Sequence, residues 1–174
     1  MRNTEPEEGN IYIVYEKEPD ISMRILRKKV QEGCKGLIIS RTHPHRLRKK
    51  SELDIPHIWL ARDNTNEFVQ SVHPEHLMKI NTILSSFINS TTKDKIILLD
   101  GLEYLIGQND FETIMRFIQL VNELVNTSNT CILVPIHPAA LTERQKGLLE
   151  REVMVLSAEE DGDRLNDWLM EQKR

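Results

Sequence analysis

The chain has few of the residues that bend, cross-link or stack. Of its 174 residues 7 are glycine, 7 proline and 2 cysteine, and aromatics make up only 5%. So few aromatic rings argue against a surface that stacks single-stranded nucleic acid. Cys34 and Cys131 stand far apart beside apolar runs and read as reduced, mostly buried thiols of a cytoplasmic protein, with nothing to favour a disulfide. No apolar run approaches the roughly 20 residues that span a bilayer, so no membrane partner is expected. The acidic start MRNTEPEEGN has neither the charge nor the apolar stretch of a signal peptide. A net charge of -4 favours solubility and makes nucleic acid an unfavoured partner. No Gly-x-Ser-x-Gly elbow, Cys–His pairing or paired-carboxylate motif offers a catalytic foothold.

With 39% hydrophobic and 29% charged residues, the composition is that of one globular domain. Five short, nearly continuous apolar runs stand out: Ile11–Tyr15, Gly36–Ser40, His57–Leu60, Ile96–Asp100 and Cys131–Pro135. Val153–Leu156 is a sixth. Such runs are the texture of strands buried on both faces, which favours a parallel sheet. Helical spacing lies between them. Ile25, Leu26 and Val30 share a face before the stop at Gly33. Leu77, Ile80, Leu84, Phe87 and Ile88 form a second stripe, with Pro74 near its start. A third runs from Phe111 to Val125 behind the capping residue Asp110. Thr142–Gln145 and Ser157–Glu160 have capping-box spacing, and Leu165, Trp168 and Leu169 mark a C-terminal amphipathic helix. Alternating strand and helix predicts a three-layer αβα domain with a mainly parallel central sheet over residues 11–174, after a flexible tail at 1–10.

In such sheets ligands bind beyond the carboxyl ends of the strands. After the first strand that place holds Glu16-Lys17-Glu18-Pro19-Asp20. A phosphate-binding loop needs glycines whose N–H groups converge on the anion, with a lysine and a serine or threonine. This segment has no glycine and three carboxylates, which in charge terms take the anion's place at the helix N-terminus. No glycine in the chain opens Gly-Lys-Ser or Gly-Lys-Thr. The run Ile96–Asp100, by contrast, ends like a Walker B strand, with Asp100 positioned for magnesium and Glu103 just beyond. The alternative is a plain strand end, because Asp-Gly suits a turn.

The series Tyr12–Glu16, Gly36–Pro44, Ile58–Leu60, Leu98–Leu105 and Leu148–Glu152 resembles an archaeal domain-of-unknown-function family, number 835, along nearly the whole chain. Members of that family are similar to RecA- or KaiC-like ATPase cores and to sensory domains derived from them, and many sit beside PAS or receiver modules. The resemblance implies a RecA/KaiC-like core lacking the Walker A loop, acting in interaction or signal relay. It supplies no catalytic residues and no cofactor. The partner it implies is a protein: a second copy, or a KaiC-like ATPase.

The segment from Arg41 to Lys50 is the most unusual. Arg41, His43, Arg46 and Arg48, together with Glu16, are the candidate partner-binding rim. The basic run can receive an acidic partner, a phosphorylated residue or nucleic-acid phosphates, or it is simply a solvated basic helix. Arg41, at a strand end, is expected to pair with Glu16 or Asp100. His43/His45, His57 and His73/His76 have spacing permissive for zinc, but without a cysteine to join them they read as surface or capping residues. Trp59 and Trp168 read as packing residues. Two further functions stay open beside the interaction reading: a nucleotide-responsive protein or cryptic ATPase using Asp100 and Glu103, and nucleic-acid binding through Arg46 to Lys50.

Overall fold

The computed structural model describes residues 5–156 and 168–171. The strands are β1 (Asn10–Tyr15), β2 (Lys35–Ser40), β3 (His57–Leu60), β4 (Ser71–Val72), β5 (Lys95–Asp100), β6 (Thr130–Ile136) and β7 (Met154–Leu156). They form one parallel seven-stranded sheet in the order β4-β3-β2-β5-β6-β1-β7. The helices are α1 (Ile21–Gln31), α2 (Pro44–Ser51), α3 (Leu77–Ile88), α4 (Leu102–Gln108), α5 (Phe111–Asn126) and α6 (Glu143–Glu152).

Alternation along the strands divides the interior in two. Ile11, Ile13, Leu37, Ile39, Ile97, Leu99, Ile132 and Val134 pack with α3, α4, α5 and α6 on one face. Tyr12, Val14, Ile38, Ile96, Leu98, Cys131 and Leu133 pack with α1 and α2 on the other. A period of two in strands that are apolar on both faces produces this three-layer, Rossmann-like arrangement.

Local signals place the helix ends. Gly33 takes φ +106°, the left-handed turn that ends α1. Asp110 Oδ1 accepts the Thr113 N–H at 2.7 Å, and Thr142 and Gln145 close a reciprocal capping box on α6. The expected box at Ser157–Glu160 and the expected apolar position Leu165 lie outside the described residues. Trp168 and Leu169 pack on the α1 side of the sheet, with Lys28 Nζ 4.1 Å from the Trp168 ring centroid. Near the N-terminus Gly9 N–H donates to Thr130 O at 2.8 Å, and Glu5 pairs with Lys29 at 3.0 Å. Cys131 is buried, Cys34 is half-buried, and both are free thiols. No helix among the described residues is long and apolar enough to cross a membrane.

Candidate functional site

The strand order creates a particular opening. From β2 the chain leaves through α2 toward β3, on one face. From the adjacent β5 it leaves through α4 and α5 toward β6, on the other. Divergence of neighbouring connections opens a crevice beyond the strand ends, the place where open α/β sheets bind ligands. Here it is a cleft of about 1610 Å³ whose walls carry Arg41, His43, Arg46 and Arg48 on one side and Asp100 and Glu103 on the other.

At its floor, β2 and β5 are tied at their ends. Ser40 Oγ donates to Asp100 Oδ2 at 3.2 Å and accepts the Thr42 N–H at 2.9 Å. Arg41 N–H donates to the Asp100 carbonyl at 3.1 Å. Burial pushes the Asp100 carboxyl above its ordinary range and Glu103 adds to this, while the Ser40 hydroxyl and Lys50 oppose it. Glu103, in the first turn of α4, accepts the His137 backbone N–H at the end of β6.

The expected ion pair of Arg41 with Glu16 or Asp100 is not formed. Only its backbone meets Asp100; its guanidinium lies over the Tyr104 ring, 4.2 Å from the centroid. The weakly hydrated guanidinium of the exposed Arg41 stacks on the half-buried Tyr104 ring and stays at the surface instead of entering beside Asp100. Glu16 lies elsewhere, because β6 separates β1 from β5. Its Oε2 accepts the Ile21 N–H at 2.9 Å and its Oε1 the Ser22 N–H at 3.3 Å. One carboxylate thus holds the first amides of α1, and the exposed Glu18 and Asp20 take no such position. Burial raises the Glu16 pKa, with the Ser22 and Ile21 hydrogen bonds opposing it.

A family model described as a protein of unknown function (DUF835) matches residues 15–153. The chain belongs to the DUF835 family. A solved structure from Pyrococcus horikoshii OT3, described as a structural study of a project target, is 16% identical to this DUF835 chain. It matches with a TM-score of 0.58, covering 87% of this chain and 82% of that one, which is likeness of fold. No curated protein matches the sequence.

The histidines of this DUF835 chain share a local device. His43, His73 and His137 each precede a proline, and each Nδ1 accepts the N–H two residues on, at 3.1, 3.1 and 3.0 Å. Proline fixes the backbone while the ring nitrogen takes the amide that the turn leaves free. No group of three or more His, Cys, Asp or Glu side chains able to hold a metal occurs among the described residues.

Sequence reasoning missed His57, Phe68 and Tyr104 as parts of the cleft and assigned Trp59 to packing alone. Trp59 is half-buried and lines the cleft, its Nε1–H donating to Arg41 O at 3.0 Å and its ring 4.9 Å from that of His43. A signal was available. In His57-Ile58-Trp59-Leu60, Ile58 and Leu60 enter the core of the α3 side, so His57 and Trp59 must face the other way. A lone phenylalanine in the polar loop Asn64-Thr65-Asn66-Glu67-Phe68 was a second signal; Phe68 is 91% exposed on the cleft wall.

Proposed function

We propose that this chain is a non-catalytic interaction domain built on a RecA/KaiC-like core, in which a carboxylate of its own takes the position of the nucleotide phosphates. The observation that carries this reading is the seat of Glu16. The N-terminus of α1 carries partial positive charge and free N–H groups suited to an anion, and Glu16 accepts two of those N–H groups itself. A triphosphate would have to displace a tethered carboxylate that is already hydrogen bonded. Glu103, the second Walker B-like carboxylate, accepts a backbone N–H across the β5–β6 boundary.

The favoured partner is a protein: a second copy of the chain, or a KaiC-like ATPase or regulator. Support comes from β7, which among the described residues is hydrogen bonded to β1 alone in the sheet and exposes Met154 at 52% and Val155 at 40%. Apolar side chains on an edge strand favour coverage by another chain. Light scattering over a concentration series should give a mass rising above the 20.3 kDa monomer, with Met154→Lys lowering it. A strict monomer at millimolar concentration removes self-association. Magnesium-dependent ATP hydrolysis lost in Asp100→Asn would overturn the non-catalytic reading.

A further inference from the structure

Helix α2 carries charge that the fold leaves uncompensated. Arg46, Arg48, Lys49 and Lys50 are all exposed, and none has an ion-pair partner among the described residues. Arg48, Lys49 and Lys50 suit the last turn of the helix, where the dipole is negative. Arg46 instead stands in the first turn, three and four residues before Lys49 and Lys50, where like charges repel. No acidic residue lies in the helix to offset them. On a chain of net charge -4 this is a local excess of positive charge, with Arg46 and Arg48 on the wall of the β2–β5 cleft.

The same cleft holds an apolar side chain out in water. In the loop between β3 and β4, Asn64 Oδ1 accepts the Asn66 N–H and Asn66 Oδ1 the Phe68 N–H, both at 3.0 Å. Asn64 Nδ2 donates to the Val69 carbonyl at 2.8 Å. These bonds fix the loop with Phe68 91% exposed, and the half-buried Trp59 offers a second ring in the cleft. A pre-positioned aromatic in one cleft with unpaired arginines has the make-up of an anchor point for a protein partner. The volume of about 1610 Å³ exceeds the roughly 300–1000 Å³ typical of small-ligand pockets and has room for a chain segment. The cations lie along one eight-residue helix, about 12 Å long, which matches about four residues of extended chain. That is a short track for a nucleic acid. Asp100 and Glu103 on the other wall keep the anions of such a segment to the α2 side.

We propose that this cleft docks an acidic segment of a protein partner, its carboxylates on Arg46 and Arg48 and one apolar side chain against Phe68 and Trp59. The proposal rests on the interaction reading in taking a protein as partner, and not on the β7 edge.

The test is calorimetric titration of the full chain, at low salt, with the capped peptide Glu-Asp-Glu-Leu-Glu-Asp-Glu. Recognition by charge and one apolar anchor needs no particular sequence, so this probe serves. The peptide should bind, and Arg46→Ala combined with Arg48→Ala should weaken it about tenfold. Phe68→Ser should weaken it by about as much, Phe68→Leu should keep most of the affinity, and serine in place of the peptide's leucine should act like Phe68→Ser. All three positions are exposed, so the variants should melt with the parent. In the unaltered chain the peptide should also shift the NMR signal of the Trp59 indole N–H. No binding at millimolar peptide overturns the proposal, as does binding undiminished in the double arginine variant or in Phe68→Ser. A ribo-oligomer that binds more tightly than the peptide, with a salt slope of several phosphates, overturns the protein partner for this cleft. A chain that self-associates but takes no peptide overturns this proposal alone. ATP hydrolysis lost in Asp100→Asn overturns the non-catalytic reading, while peptide binding with both variant effects would still stand.

Discussion

The carboxyl ends of β1 and β2 use the helix that follows in opposite ways. After β1, Glu16 turns back onto the amides of Ile21 and Ser22, so the first turn of α1 is satisfied from within the chain. After β2, His43 caps α2 through the His45 N–H, but the cleft beyond it keeps the exposed Arg46 and Arg48 without an ion-pair partner among the described residues. The sheet is the same and both strands are buried. Neighbouring connections diverge to opposite faces at both places, α1 from α6 beside β1 and α2 from α4 beside β2. The difference is that Glu16 folds back onto the first turn of α1, while no side chain closes the cleft beside β2. A parallel sheet can therefore lose the use of one strand end while another remains open.

Acid should separate the two ends most strongly. His57 has a pKa of about 4 in the fold, against 6.5 when exposed. Between those values the unfolded chain binds a proton that the folded chain does not, so stability rises with pH across this window and falls as the solution is acidified. From pH 7.5 to 4 the loss from His57 approaches about 3 kcal/mol, or roughly 6–12 °C in melting temperature for a chain of this size. Denaturant melts at both pH values should show this loss in the parent and its absence in His57→Phe. Equal slopes in the two proteins would mean that the ring is not held neutral by its surroundings.

A backbone change at the open end comes next. Gly101 joins Asp100 to α4 at φ +138°, and a Cβ there would stand 3.1 Å from Leu60 Cδ1. Gly101→Ala should cost about 2 kcal/mol, measured by urea denaturation, because an L side chain is strained at that dihedral. It should also disturb the Arg41–Tyr104 stacking, since Tyr104 is carried on the helix that Gly101 begins.

How much of this was legible in the sequence depended on whether the signal was local. Continuous apolar runs gave six strands, and the Asp110 and Thr142 caps were readable because a cap is a matter of residues three apart. The two-residue β4 has no run to read; it forms because Trp59 and Leu60 pair with Ser71 and Val72 across a loop. The basic segment was read as a rim, and Arg41, His43, Arg46 and Arg48 do share a cleft with Asp100 and Glu103. Glu16 was placed with them, because nothing in the sequence shows that β6 inserts between β1 and β5. Strand order is a tertiary property, set by which hydrophobic faces bury each other. The stacking of Arg41 on Tyr104 was hidden for the same reason: it joins the residue after β2 to helix α4 after β5, which sequence separation keeps apart.

The closed end yields the smallest effects and the sharpest contrast in sign. Glu16→Ala removes the acceptor from two amides of α1 and should cost about 1 kcal/mol, as the loss of a helix cap does. Glu16→Gln keeps a side-chain oxygen and removes only the charge. Because burial raises the Glu16 pKa in the fold, the folded chain holds this proton more tightly than the unfolded one. Its contribution to stability is fully present below the ordinary value of 4.5 and is lost as pH rises through the raised value, opposite in sign to that of His57. At neutral pH the carboxylate carries its burial penalty against two hydrogen bonds, so Glu16→Gln should lie within about 0.5 kcal/mol of the parent. In the melts that reveal the His57 slope, the glutamine variant should lose more stability than the parent on acidification, because it lacks the offsetting Glu16 term. If Glu16→Gln instead costs as much as Glu16→Ala, the charge itself holds the first turn of α1. Either way the two amides are occupied from within the chain; that outcome would add that the negative charge, and not only the acceptor oxygen, is what the helix end holds.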